Sequence, residues 1–354
     1  MSLQKVARAT NLSVSTISRV LNGKAHVAEE TRQKVLAISG DLGVFPKRRG
    51  RRAVRDFTNG HSATHAPVTI LMDMDISSTF LSELTVSVQR LLAEYGFQCV
   101  LQTFSGEYTD FVRALGYIQP PNAAACIAVG YFTDKEVLGV LGANPKCVFL
   151  DYMPSPDLGL PLNVVTHDNV AAVRLSVRQL VASDCKRIVC LQGLPYHHFS
   201  RAMREGFLSV LEQDRFTEGQ LLTCDLTAGG GYRAIKAAID AGNDFDGLFT
   251  TDEMAFGAIR AIKEAGKRIP DDVKVMGCDG IELGKQLHPP LSTVVLDREE
   301  LGRRAVKRLM EIIDVDAPTF EQILIPPRLE LRGTCAPKAA MERVEAQVNG
   351  KEGQ

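Results

Sequence analysis

Four aspartates stand where apolar runs end: Asp75 closing VTILMDMD, Asp151 in KCVFLDY, Asp252 in FDGLFTTDE and Asp279 in DVKVMGCDG. Carboxylates at such places serve either ligand binding or acid–base chemistry. The second use lacks support, because the chain has no GxSxG and no plausible Ser/His/Asp order. Asp271 and Asp272 after Pro270 fit a turn into a strand rather than a catalytic dyad. His197-His198 suggests a metal site, but no Cys/His/Asp set completes the coordination. The pair reads as a loop, or as lining of a cleft mouth after the strand KRIVCLQG. Gly229-Gly230-Gly231 lacks the GK[ST] ending of a phosphate cradle and reads as the start of a helix. No enzyme activity, cofactor or metal is expected. A second kind of chemistry sits near the N-terminus. Val14, Ser15, Thr16, Ser18 and Arg19 form a small, hydroxylated, basic face suited to close approach to phosphates and base edges.

The elements that position this face are legible. Val6 and Ala7 lie on one side of a short helix, and Thr10-Asn11-Leu12 breaks it. Ser13 is placed to cap a second helix, since its hydroxyl can accept from a free N–H of the next turn. Ile17, Val20 and Leu21 recur at helical spacing and pack back on the first helix, and Asn22-Gly23 ends the second. Two short helices across a tight turn make a helix-turn-helix, which sets the start of its second helix in the DNA major groove. Charge agrees. Residues 1–55 hold 12 Lys+Arg against 3 Asp+Glu, and the remainder holds 29 against 39, so a head of +9 sits on a body of −10. Such a split is expected if only the head meets nucleic acid.

A third helix is expected over Val27–Leu42, followed by a basic linker from Lys47 to Arg55 with six Lys+Arg and then a polar stretch to Ala66. From Pro67 the pattern becomes alternating strands and helices in two consecutive series. Near-continuous apolar strands between amphipathic helices mean parallel sheets covered on both faces. Ligands of open sheets bind beyond the strand C-terminal ends, so two facing lobes would gather Asp75, Asp151, Asp252 and Asp279 around one cleft. The 354 residues suffice for two or three domains, and hydrophobic content of 45% is ordinary globular composition. No apolar run is long enough to span a membrane and the N-terminus lacks a signal-peptide core, so a cytoplasmic protein is expected. The eight cysteines form no CxxC pair and read as buried free thiols.

At VARATNLSVSTISRVLNG and VAEETRQKV in the head, and FDGLFTTDEMAFGAIRAIKEAGKRIPDDVKVMGCDG and LHPPLSTVVLDREELGRRA in the body, the chain resembles the lactose-repressor/galactose-repressor family of bacterial transcription regulators. VVTHDNVAAVRLSVRQLV and KRIVCLQG match more weakly, and together the matches run to about Gly333 in the family's order. The resemblance implies an all-α helix-turn-helix DNA-binding head (1–46) and a hinge (47–66). It implies beyond them an α/β two-lobed core like that of periplasmic sugar-binding proteins (67–335), and then a tail (336–354). The first lobe would span about 67–165 plus 297–325, and the second about 166–296 plus 326–335. The implied partners are double-stranded operator DNA, a small-molecule effector, by default a sugar, and a second copy in a homodimer, with no membrane. Val14 and Ser15 would read bases, while Ser13, Thr16, Ser18, Arg19 and Asn22 would hold phosphates or base edges. The implied effector set is Asp75, Ser77 and Phe80 after the first strand, Asp151, Thr251, Asp252 and Asp279. Carboxylates there suit bidentate hydrogen bonds to neighbouring hydroxyls.

The sequence departs from the family in places. Where many members carry a hinge-helix Leu that wedges into the minor groove, the position falls near Ala53, with Gly50 before it, Arg48 and Arg51 around it and Val54 the nearby apolar side chain. Met203 occupies a position that often holds a cleft arginine, and Leu296 one that often holds a polar residue. The tail lacks leucine heptads, which favours a dimer. The competing reading is a solute-binding protein of a transport system, against which the basic head speaks.

Overall fold

The computed structural model describes residues 3–21, 31, 35, 66–73, 79–104, 107–195, 197–213, 218–315 and 319–335. The cap at Asn22-Gly23, the linker with Arg48, Arg51, Ala53 and Val54, the loop with Asp75 and Ser77, and the tail lie outside the described residues. So does the third helix apart from Thr31 and Val35, both helical. The chain divides into two compact units, Met1–Ser62 and Ala63–Gln354.

In the first unit, α1 (Leu3–Thr10) and α2 (Val14–Leu21) are separated by a turn in which Asn11 takes a left-handed φ of 57°. Asn tolerates that conformation better than most residues. The Leu12 N–H reaches back to the Ala7 carbonyl at 3.1 Å, closing the first helix. Ser13 Oγ accepts from the Thr16 N–H at 3.1 Å, the cap expected from its type and place. Thr10, Ile17, Val20 and Val35 are buried, so the apolar stripe of α2 faces its own small core.

The second unit carries two six-stranded sheets. The first is built from β1 (Val68–Asp73), β2 (Cys99–Phe104), β3 (Ala125–Val129), β4 (Cys147–Leu150), β5 (Val164–His167) and the late β11 (Gln322–Ile325). Its order is β11-β5-β4-β3-β1-β2, all parallel. The helices α3 (Thr79–Glu94), α4 (Tyr108–Ile118) and α5 (Asp134–Ala143) connect its strands. Every residue of β3, β4 and β5 is buried, which is why the first two read as unbroken apolar runs; β5 also buries Thr166 and His167. The edge strand β2 is half-exposed.

The second sheet repeats the plan. It contains β6 (Arg187–Gln192), β7 (Glu218–Thr223), β8 (Gly247–Phe249), β9 (Lys274–Asp279), β10 (Ser292–Val295) and β12 (Arg328–Glu330). The order is β12-β10-β9-β8-β6-β7, parallel except for β12. Its helices are α6 (Asn169–Ala182), α7 (His198–Gln213), α8 (Ala228–Asp240) and α9 (Asp252–Glu264). The chain passes between sheets three times: from β5 to α6, from β10 to α10 (Arg298–Ile313), and from β11 to β12. α10 packs against α3 through an apolar stripe that includes Leu301, Ala305 and Leu309.

Two local readings are revised. The strand expected to run through FDGLFTTDE stops at Phe249, because Thr251 caps α9 by accepting from the Met254 N–H, and Asp252 becomes the first helical residue. His198 opens α7, so the histidine pair sits at a helix start rather than in a free loop. The late segment EQILIPPRLELRG supplies one strand to each sheet. Thr227 caps α8 through the Gly230 N–H at 2.9 Å, which puts the three glycines in its first turn. All eight cysteines are free thiols, six of them buried. Among the described residues no helix is long and apolar enough to cross a membrane.

Candidate functional site

The C-terminal ends of both sheets border a cavity of about 480 Å³. The first lobe contributes Asp73 at the end of β1, Phe80 and Leu81 on α3, Tyr131 and Thr133 after β3, Glu136 on α5, and Asp151 after β4. The second lobe contributes Leu194 and His197 after β6, His198 and Phe199 on α7, Asp225 and Thr227 after β7, Thr251 and Glu253 at the start of α9, and Asp279 at the end of β9. Asn169, Ile281 and Leu296 complete the wall at the crossings and the β9 turn.

Two expected carboxylates meet here from opposite lobes, and both stand on unusual backbone. Asp151 has φ 52° and Asp279 has φ 124°, conformations that cost a non-glycine residue roughly 1–3 kcal/mol and persist where the surroundings enforce them. The Asp151 N–H is held by the Val165 carbonyl at 2.9 Å, and Val295 pairs with Asp279 in the β9–β10 ladder. Gly280, at φ 73°, turns the chain immediately afterwards. Burial pushes the Asp151 carboxyl up to about 7. Burial, reinforced by the charges of Asp252 and Asp151, pushes Asp279 well above the usual carboxylate range.

Arg298 braces this turn from the other lobe. Its guanidinium donates to the carbonyls of Asp279 at 2.8 Å and Gly280 at 3.2 Å, and its Nε pairs with Glu83 of α3 at 2.8 Å. The same group lies 5.5 Å from the centre of the Phe80 ring. One side chain at the start of α10 therefore ties the Asp279 turn to α3.

On the opposite wall four rings run in series across the lobes. Tyr131 stacks on His197 at 5.2 Å, His197 on His198 at 5.0 Å, and Tyr152 lies 6.1 Å from His198. Burial lowers His197 to about 4, and burial with the neighbouring His197 and Arg201 charges lowers His198 well below the usual imidazole value, so both rings are neutral near pH 7.

The expected effector residues separate accordingly. Phe80, Asp151, Thr251 and Asp279 line the cavity. Asp252 and Met203 do not. The Asp252 carboxylate, fully buried, accepts from Thr293 Oγ1 at 2.7 Å and from the Ile281 N–H at 2.7 Å, so it struts the Asp279 turn from behind. Room for it exists because residue 277 is glycine; a Cβ there would lie 2.0 Å from Asp252 Oδ1. Met203 is buried in the apolar core under α7. Asp73, Glu136, Tyr131, Asn169, Asp225 and Glu253 line the cavity without having been singled out. Asp73, two residues before Asp75 in the same run, was the one with a visible signal. In the head, Val14 and Ser15 are exposed at the start of α2, with Thr16 half-buried beside them. Ser18 and Arg19 lie within α2, and their side chains fall outside the described set.

Comparison with known proteins places these parts. Residues 2–46 match the model of bacterial regulatory proteins of the lacI family, and residues 177–335 match a periplasmic binding protein-like domain. The ribose operon repressor of Halalkalibacterium halodurans is 28% identical over 334 residues, covering 94% of this chain and 96% of that protein.

The chain resembles regulators of the lacI family along nearly its whole length.

The lactose operon repressor of Escherichia coli is 26% identical, covering 95% of this chain and 91% of that one. In fold, the chain resembles the lac repressor dimer bound to operator and the anti-inducer ONPF, with TM-score 0.70 and 24% identity over 95% of this chain and 99% of that one. It also resembles the CelR–cellobiose complex, with TM-score 0.68 and 22% identity over 94% of this chain and 99% of that one. The chain is a DNA-binding transcriptional regulator with a two-lobed, periplasmic-binding-protein-like core.

Proposed function

We propose that this regulator is a cytoplasmic repressor that holds operator DNA as a homodimer and changes its grip when a sugar or sugar derivative enters the cleft. The observation that carries the reading is the cavity itself: two lobes present two strained, half-buried carboxylates, Asp151 and Asp279, to one space large enough for a small metabolite. The ribose and lactose operon repressors among its relatives support sugar as the class. In this reading the DNA-binding domain is 1–46, the hinge 47–66 and the sensor 67–335. Val14 and Ser15 read base edges, and Ser13, Thr16, Ser18, Arg19 and Asn22 hold the flanking phosphates or edges. Arg48 and Arg51 meet backbone phosphates, with Ala53 and Val54 at the minor groove. Effector contacts come from Phe80, Asp151, Thr251 and Asp279, with Asp75 and Ser77 from the first-strand loop. The cavity is assigned to binding and not to turnover.

A ligand that prefers one lobe angle shifts the population of that angle and with it the spacing of two DNA-binding heads. The test is a gel shift with operator fragments selected from random duplex DNA, repeated with a panel of sugars. A salt-sensitive, sequence-selective complex whose affinity changes with one sugar is expected. Absence of any selective complex would refute the DNA reading, and a sugar that binds without changing the complex would refute the coupling.

A further inference from the structure

Six carboxylic acids line the cavity, Asp73, Glu136, Asp151, Asp225, Glu253 and Asp279, and among the described residues no lysine or arginine lines it. The five residues between Asp73 and Thr79 are Met, Asp, Ile, Ser and Ser, which adds a carboxylate and no cation to the neighbouring chain.

Four of the six acids have partners, Asp73 among them. Glu136 accepts from the Thr133 N–H and hydroxyl, both at 2.8 Å. Asp225 pairs with Arg233 at 2.6 Å, and Glu253 accepts from Thr79 at 3.4 Å. Among the described residues nothing donates a hydrogen bond to the side chains of Asp151 and Asp279. The Arg298 guanidinium, whose charge opposes the rise of Asp279, donates to the carbonyls of Asp279 and Gly280, and Arg201 donates to that of Met153 at 3.2 Å. The remaining unpartnered polar atoms are neutral: both ring nitrogens of His197, Nδ1 of His198 and Oδ1 of Asn169.

Half-buried acceptors without a donor are costly, and two carboxyls facing one space raise the cost of ionising either. A ligand resolves this if it brings hydrogen-bond donors and no negative charge. Resting on the reading of this cleft as a sugar-type effector site, we propose that it takes an uncharged or amine-bearing polyhydroxylated molecule and refuses the phosphorylated and carboxylated relatives, with Asp151 and Asp279 as the discriminating pair. An anionic group set about 5 Å from such carboxylates, with no cation between, is held off by roughly 100-fold in affinity.

The experiment uses the full chain and matched sets of ligands: glucose, glucosamine, glucuronate and glucose 6-phosphate, with the corresponding galactose and ribose derivatives. Melting temperature screens each set at pH 7.5, and titration calorimetry measures the hits. Binding by a neutral or amine-bearing member, with its anionic relatives at least about 100-fold weaker, is the expected result. D279N and D151N, each shown by melting to be folded, should shrink that ratio by about 10-fold, since each removes one of the two carboxyls that share the negative charge facing the ligand. An anionic member binding as tightly as its neutral parent overturns the proposal and leaves the sugar reading intact. A ratio unchanged in both variants also overturns it, because the discrimination then lies elsewhere. If no member of any set binds, the sugar reading itself fails and this proposal falls with it.

Discussion

Asp252 offers a test of how the effector turn is held that needs no ligand. Its carboxylate is fully buried and accepts two hydrogen bonds at 2.7 Å, yet burial pushes its pKa from 3.8 up to about 6. That displacement corresponds to roughly 3 kcal/mol in favour of the protonated form in the folded protein. Folding raises this group, so no penalty exists below the unfolded value near 4, and stability falls as pH climbs from about 4 to about 6. An asparagine keeps both contacts without the charge: its oxygen accepts from the Ile281 N–H, and its NH₂ donates to Thr293 Oγ1, whose hydroxyl already faces the Val294 carbonyl at 3.3 Å. D252N should therefore match wild type near pH 4 and exceed it by about 1–3 kcal/mol at pH 8. D252A leaves the Ile281 N–H buried and unpaired, and should lie about 2–4 kcal/mol below D252N at every pH. Urea unfolding followed by circular dichroism between pH 4 and 8 reads both differences. If D252N falls as far as D252A at pH 8, the ionised carboxylate itself holds the turn, and the account of Asp252 as a strut burdened by its charge is wrong.

Other predictions concern binding. R19A should weaken the operator gel shift and reduce its salt dependence while calorimetric ligand affinity stays the same; a parallel loss of both would mean the head is not a separate reader. R298A removes the brace between the Asp279 turn and α3 and should lower ligand affinity by about 10–100-fold, with E83Q smaller in the same direction. Calorimetry showing no change in R298A would rule out that brace. Ligand affinity should also rise with pH through about 7, because a hydroxyl donor stabilises the ionised Asp151 carboxylate that burial holds near that value. Binding should then release protons, measurable by calorimetry in buffers of different ionisation enthalpy, and proton uptake on binding would contradict the assignment.

The sequence went far where physics acts along the chain. Ser13, Asn11 and the Ile17–Val20 spacing specify the turn and second helix of the head through local hydrogen bonds and one apolar face. Buried parallel strands must be apolar on both faces, so β3, β4 and β9 announced themselves, and with them the strand ends where Asp151 and Asp279 stand. Which aspartate faces the ligand was another matter. Asp252 and Asp279 looked equivalent, but Thr251 starts a helix at Asp252 and turns its carboxylate toward Thr293, 41 residues away. The His197–His198 pair gained its meaning from Tyr131 and Tyr152 of the other lobe, and Met203 lost its place in the cleft to the core beneath α7. Periodicity constrains which side of an element is apolar. The aim of a polar side chain at an element's end depends on partners that packing brings from far along the chain, and no local pattern encodes those.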